Sequence, residues 1–215
     1  MSVPEPTIQI VDDDESFLAA ISQLLRASGF AVKTFSSASD LLAAADADAT
    51  GCVLADLQMP GMNGLDLQAA LARTRNPLPI LFLTGHGDIP STVRAMRAGA
   101  VDFLEKRAPK EHLLDAVKRA LARDARDRAE RARLRVLRAR FDTLTARELE
   151  VLSHVVRGRL NKQIASDLGI HERTVKRHRT AVTTKLGVQS VAELTQLSLE
   201  AGIFTAPRST FPKGQ

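Results

Sequence analysis

The chain of 215 residues has one cysteine, Cys52, and nothing inside the chain for it to pair with. That excludes a disulfide framework and fits a reducing compartment, so a cytoplasmic location is expected. Because Cys52 lies within the apolar run Cys52-Val53-Leu54-Ala55, it reads as a buried structural thiol rather than a nucleophile. No apolar run is long enough to cross a bilayer, and Met1 to Pro6 lack the basic-then-apolar pattern of a secretion signal. No membrane partner is expected. His112, His154, His171 and His178 fall at no metal-ligand spacing, and His86 reads as a loop histidine. Apolar residues make up 44% of the chain, which is ordinary for globular protein, and the length suits two small domains.

Charge is distributed unevenly. Residues 1–117 carry 9 Lys/Arg against 15 Asp/Glu, residues 118–144 carry 10 against 4, and residues 145–215 carry 11 against 6. An acidic front and a basic rear fit a cation-binding front and a polyanion-binding rear.

The front alternates strand and helix. Strand-like runs cover Thr7–Val11, Phe30–Phe35, 52–56, 80–84 and 101–105, and the intervening segments repeat apolar residues at helical spacing. Five such strands predict an α/β doubly wound parallel sheet, whose reactive rim lies outside the carboxyl ends of the strands. Four strands end on polar groups: Asp12-Asp13-Asp14 after the first, Asp56 closing the third, Thr84 closing the fourth and Lys106 after the fifth. Carboxylates crowded at a strand end repel one another unless a cation offsets them. Acids from the first strand together with Asp56 suit Mg²⁺, which prefers oxygen ligands. Asp56 is the candidate nucleophile for an incoming phosphoryl group, with Thr84 and Lys106 as ligands for its remaining oxygens.

Val11-Asp12-Asp13-Asp14, the stretch Asp56-Leu57-Gln58-Met59-Pro60-Gly61-Met62-Asn63-Gly64, Thr84-Gly85-His86-Gly87 and Leu104-Glu105-Lys106 resemble the motifs of response-regulator receiver domains, closest to the FixJ type within the NarL/FixJ group. The resemblance implies a flavodoxin-like receiver in which Asp56 accepts phosphate from a sensor histidine kinase. Asp12, Asp13 and Asp56 would hold Mg²⁺, with the Gln58 backbone carbonyl completing the ligands. It also implies that phosphorylation draws in Thr84, repacks Phe103 and favours a homodimer through a face bearing Val93, Arg94, Arg97 and Asp102. One departure stands out. The family has proline, after a cis bond, where this chain has Arg107; a cis Lys106–Arg107 bond would cost about 3–4 kcal/mol, so a trans bond or a displaced turn is expected. An exposed side chain is the simpler reading of Arg107.

Residues 121–143 read as a separate basic helical linker, rich in arginine and laced with ion pairs. From Leu144 the chain reads as an all-α module. Thr145 and Glu148 fit a capping box, and helices are expected over 161–168, 172–186 and 191–201. Leu144-Thr145-Ala146-Arg147-Glu148, Asn161-Lys162-Gln163-Ile164-Ala165 and Thr174-Val175-Lys176-Arg177-His178 resemble the LuxR-type helix-turn-helix domain. That resemblance implies a recognition helix from Glu172 that enters the major groove of double-stranded promoter DNA, and a last helix that dimerises. Lys176, Arg177 and Thr180 are the base-reading candidates; Asn161, Lys162, Thr174, Arg179 and Lys185 are the phosphate-contact candidates. His171 stands where the family has a serine-like N-cap.

The expected organisation is therefore a receiver over 1–120, a linker over 121–143 and a DNA-binding domain over 144–215. The expected function is phosphorylation-controlled transcription regulation, with RNA polymerase a further partner and no enzymatic activity beyond self-phosphorylation and slow self-dephosphorylation. Three rivals keep part of this picture: a Mg²⁺-dependent phosphohydrolase acting through Asp56, a receiver whose helical module is directed to RNA, and a phosphate-independent DNA binder with an atypical receiver.

Overall fold

The computed structural model describes residues 5–46, 48–85 and 89–204, so His86 and the segment after Phe204 lie outside the described residues. The chain forms two compact units, one reaching Arg128 and the other starting at Ala129.

The first unit is a five-stranded parallel sheet with helices in the connections. Its strands are β1 (Thr7–Val11), β2 (Ala31–Phe35), β3 (Gly51–Asp56), β4 (Ile80–Thr84) and β5 (Asp102–Glu105), in the spatial order β2-β1-β3-β4-β5. Connecting them are α1 (Glu15–Ala27), α2 (Ala38–Ala43), α3 (Gly64–Leu71) and α4 (Ile89–Arg97), and α5 (Lys110–Phe141) follows. β3 and β4 are buried at every residue, as expected of central parallel strands covered on both faces. Alternate residues build two cores. Ile8, Ile10, Cys52, Leu54, Leu81 and Leu83 pack against α1 and the start of α5, while Val11, Val53, Ala55, Ile80 and Phe82 pack against α2, α3 and α4.

Local chemistry sets the helix starts on the upper rim. Asp14 caps α1, its Oδ1 accepting from the N–H groups of Ser16 and Phe17 at 2.9 and 3.0 Å. Asn63 caps α3 by accepting from the Asp66 N–H. A Cβ at Gly64 would lie 2.4 Å from the Asp56 carbonyl oxygen and 2.8 Å from the Phe82 ring, so only glycine fits beside the end of β3.

The second unit holds α6 (Ala146–Val155), α7 (Asn161–Leu168), α8 (Glu172–Leu186) and α9 (Val191–Glu200) around a third core that includes Val151, Leu152, Ile164, Val175, Val182, Leu186 and Leu194. The Thr145–Glu148 capping box is present in both directions. Gly169, at φ 63°, takes the left-handed conformation that ends α7 and turns the chain into α8.

Residues 121–143 do not stand apart as a linker. Leu121 packs against the first core and Asp124 is fully buried there, whereas Leu134, Leu137 and Phe141 belong to the core of the second unit. Apolar residues recur at helical spacing beneath the arginines, and the density of charge hides that stripe in the sequence. Among the described residues no cis peptide bond occurs, so Lys106–Arg107 is trans. Lys106 and Arg107 form a turn closed by the Ala108 N–H donating to the Glu105 carbonyl at 2.9 Å, and Arg107 is exposed.

Candidate functional site

Strand register brings the polar strand ends to one rim. Val11 pairs with Ala55, Asp56 with Leu83 and Thr84 with Glu105, so Asp12, Asp56, Thr84 and Lys106 all stand at the carboxyl edge of the sheet. The Lys106 N–H donates to the Thr84 carbonyl at 2.8 Å, which fastens the residue after β5 to the end of β4.

Lys106 Nζ lies 2.6 Å from Asp12 Oδ2 and 2.9 Å from Asp56 Oδ2, and its ammonium stands 4.4 Å above the centre of the Phe17 ring. Asp12 and Thr84 are each 1% exposed and Asp56 8%. Asp56 Oδ1 also accepts from the Gln58 N–H at 3.3 Å, and Asp12 Oδ1 from the Asp14 N–H at 3.0 Å. Asp13 is exposed, yet Asp12, Asp13 and Asp56 each place a carboxylate oxygen within 4.8 Å of the others. Asp12 Oδ2 is buried and has no well-directed hydrogen-bond donor among the described residues, although Lys106 stands close by. Three converging carboxylates supply the hard oxygen donors that a divalent cation such as Mg²⁺ takes.

The electrostatics are those of a crowded, half-dry cluster. Burial pushes the Asp12 carboxyl above its ordinary range, outweighing the opposing pull of Lys106. Burial alone would push Lys106 down, but contact with Asp12 and Asp56 reverses the sign and raises it. On the neighbouring strands the rings of Phe82 and Phe103 lie 6.0 Å apart, tilted at 43°.

In the second unit, the buried face of α8 carries Val175, Val182 and Leu186, and Lys176, Arg177 and Thr180 project to solvent. Lys176 pairs loosely with Glu172 at 3.5 Å, and Lys162 is exposed at the start of α7. Thr174 is half-buried. Three phosphate-contact candidates also bind within the protein. The Arg179 guanidinium donates to Asn161 Oδ1 at 2.6 Å, joining α8 to the first residue of α7. Lys185 Nζ donates to Glu148 Oε2 at 2.7 Å and to the Thr143 carbonyl at 3.1 Å. Glu148 therefore caps α6 and holds the end of α8, and its carboxyl sits below its ordinary range because of Lys185 and then the Thr145 N–H. His171 is the N-cap of α8 and makes no side-chain capping bond.

Two residues of these sites were not legible as such. Helical spacing puts Phe17 on the core stripe of α1, where it packs, but gives no sign that its ring also meets Lys106. Glu148 was legible as a cap, whereas its bond to Lys185, 37 residues away, has no local signature.

Two family descriptions match the chain: the response regulator receiver domain over residues 8–118, and the bacterial regulatory proteins of the luxR family over residues 142–198. Nodulation protein W of Bradyrhizobium diazoefficiens is 43% identical over 194 residues, covering 90% of this chain and 86% of that protein. The transcriptional regulatory protein FixJ of Rhizobium meliloti is 40% identical over 196 residues, covering 91% and 96%. Among solved structures, the response regulator StyR is 45% identical with a TM-score of 0.74, covering 92% of this chain and all of that one. Among the described residues no helix is long and apolar enough to cross a membrane.

Proposed function

Because the chain belongs to the response regulators that join a receiver domain to a LuxR-type DNA-binding domain, we propose that Asp56 is its phosphoacceptor and that a sensor histidine kinase is the donor. The observation that carries this reading is the bridge from Lys106 Nζ to both Asp12 and Asp56 on a rim where three carboxylates converge. In the transfer, an Asp56 oxygen forms a bond to phosphorus as the bond from phosphorus to the donor's imidazole nitrogen breaks, and the imidazole leaves with the electron pair. Asp12, Asp13 and Asp56, with the Gln58 carbonyl, would hold Mg²⁺, which when bound offsets the charge of the phosphoryl oxygens. Lys106 already faces Asp56 and binds one phosphoryl oxygen; Thr84, at the end of the adjoining strand, supplies a hydroxyl to another.

The receiver's output is a change in surface. With Thr84 drawn to the phosphoryl group, Phe103 repacks beside Phe82, and the face formed by α4 and β5 becomes a homodimer interface. Val93 is exposed on that face alongside Arg94 and Arg97, and Asp102 is paired with Arg119. The dimer presents two α8 helices to promoter half-sites roughly one DNA turn apart. Lys176, Arg177 and Thr180 read base edges, and Asn161, Lys162, Thr174, Arg179 and Lys185 fix register on the phosphates. RNA polymerase is the partner this arrangement serves, and the cytoplasm is where it works.

The test compares wild type with Asp56→Asn after incubation with acetyl phosphate and Mg²⁺. Wild type should take up about one phosphate, dimerise and bind promoter DNA more tightly, and the variant should do none of these. Equal oligomeric state and DNA affinity in both proteins would defeat the proposal. Uptake with multiple turnover would favour a phosphohydrolase instead.

A further inference from the structure

Lys106 follows the last strand on a two-residue turn, and nothing in its backbone fixes the direction of a four-carbon side chain. Its ammonium is nevertheless placed between carboxylates from two neighbouring strands, at 2.6 Å from Asp12 and 2.9 Å from Asp56. The Phe17 ring stands on the same cation at 4.4 Å. The ring is itself well anchored. Its backbone N–H donates to Asp14 Oδ1 in the first turn of α1, and its side chain packs against the core that contains Leu18 and Ile21. An aromatic face carries negative potential and replaces water beside a partly desolvated cation.

We infer that Phe17 is a positioning residue for Lys106, its ring holding the ammonium in line between Asp12 and Asp56 before the phosphoryl group arrives. The inference rests on the reading of Lys106 as a phosphoryl ligand. When Asp56 is phosphorylated, the cation exchanges a carboxylate for a phosphoryl oxygen, while the ring stays fixed on α1 and limits how far the ammonium swings. Leucine at this position fills similar apolar space without the π face, and tyrosine keeps the face.

The experiment uses the full-length protein in two measurements. The first is a double-mutant cycle in urea unfolding with Phe17→Leu, Lys106→Met and both together. Phe17→Leu should shift the unfolding equilibrium about fivefold more when Lys106 is present than when it is replaced. Additivity within about twofold would overturn the contact. The second is the initial rate of phosphate uptake from acetyl phosphate with Mg²⁺. Phe17→Leu should slow uptake by about three- to tenfold, and Phe17→Tyr should stay within about twofold of wild type. Equal slowing by both variants, or by neither, would overturn the positioning role. Absence of uptake by wild type would instead defeat the parent reading of the site and this inference with it, while the cycle would still judge the contact.

Discussion

The two units handle charge in opposite ways. On the rim of the first, cation and carboxylates are pressed together and largely removed from water. On α8 of the second, Lys176 and Arg177 stand in solvent with loose or no close partners among the described contacts. A buried cluster responds to a single covalent event. An exposed stripe gains affinity by displacing counterions and therefore depends on salt. Under the proposed function, the first is a switch by geometry and the second a reader by accessibility.

The sharpest way to break the contrast is at Asp56. Asp56→Asn should remove essentially all phosphate uptake while leaving phosphate-independent DNA binding within about threefold, measured by labelling and by fluorescence anisotropy. Next in size is Lys106→Met, which leaves Asp12 and Asp56 facing one another with no cation between them. It should cost about 1–3 kcal/mol in urea unfolding at pH 7, less than for a fully dry pair because the Lys106 side chain keeps 18% of its exposure.

For the reader, Arg177→Ala should cost about 1–3 kcal/mol and relax preference at one base pair. Lys162→Ala should weaken all sequences alike and reduce the slope of log affinity against log salt by about one unit. A uniform loss from Arg177→Ala would move that residue from the bases to the backbone.

Acid should separate the units further. Asp12 is raised, so its contribution to stability is fully present below its ordinary value of 3.8 and is lost as pH rises through the folded value. Glu148 is lowered, so its contribution is present above 4.5 and is lost as pH falls through the folded value. Between pH 5 and 3, without divalent cation, hydrogen exchange should show the second unit losing protection first, and Glu148→Gln should flatten that dependence. The smallest expected effect is at the start of α8. His171→Ser supplies a capping oxygen that the histidine does not and should stabilise the second unit by about 0.5–1 kcal/mol in thermal unfolding.

The rim was legible because parallel strands announce their ends. An apolar run that stops at Asp12, Asp56, Thr84 or Lys106 fixes the residue at the sheet edge, and the topology gathers those edges. Phe17 was not legible, because helical periodicity assigns a face to a residue and not the neighbour that crosses it from another strand end. The exposed cationic face of α8 was legible through Val175 and Val182, whose burial leaves the cations outside. The second attachments of Lys185 and Arg179 were hidden for the same reason as Phe17: they join elements distant in sequence. In residues 121–143 the arginines obscured an apolar stripe too sparse to stand out by composition.

Asp124 illustrates what that stripe conceals. It is wholly inside, one oxygen accepting from the Gly51 N–H at 2.9 Å and from Arg128 at 2.8 Å. An isolated receiver trimmed at residue 120 would therefore leave the foot of the central strand with an amide seeking a new acceptor, and would begin to fray there. The smallest fragment that keeps this seam closed ends after Arg128, and expression work on either half of the molecule should cut there.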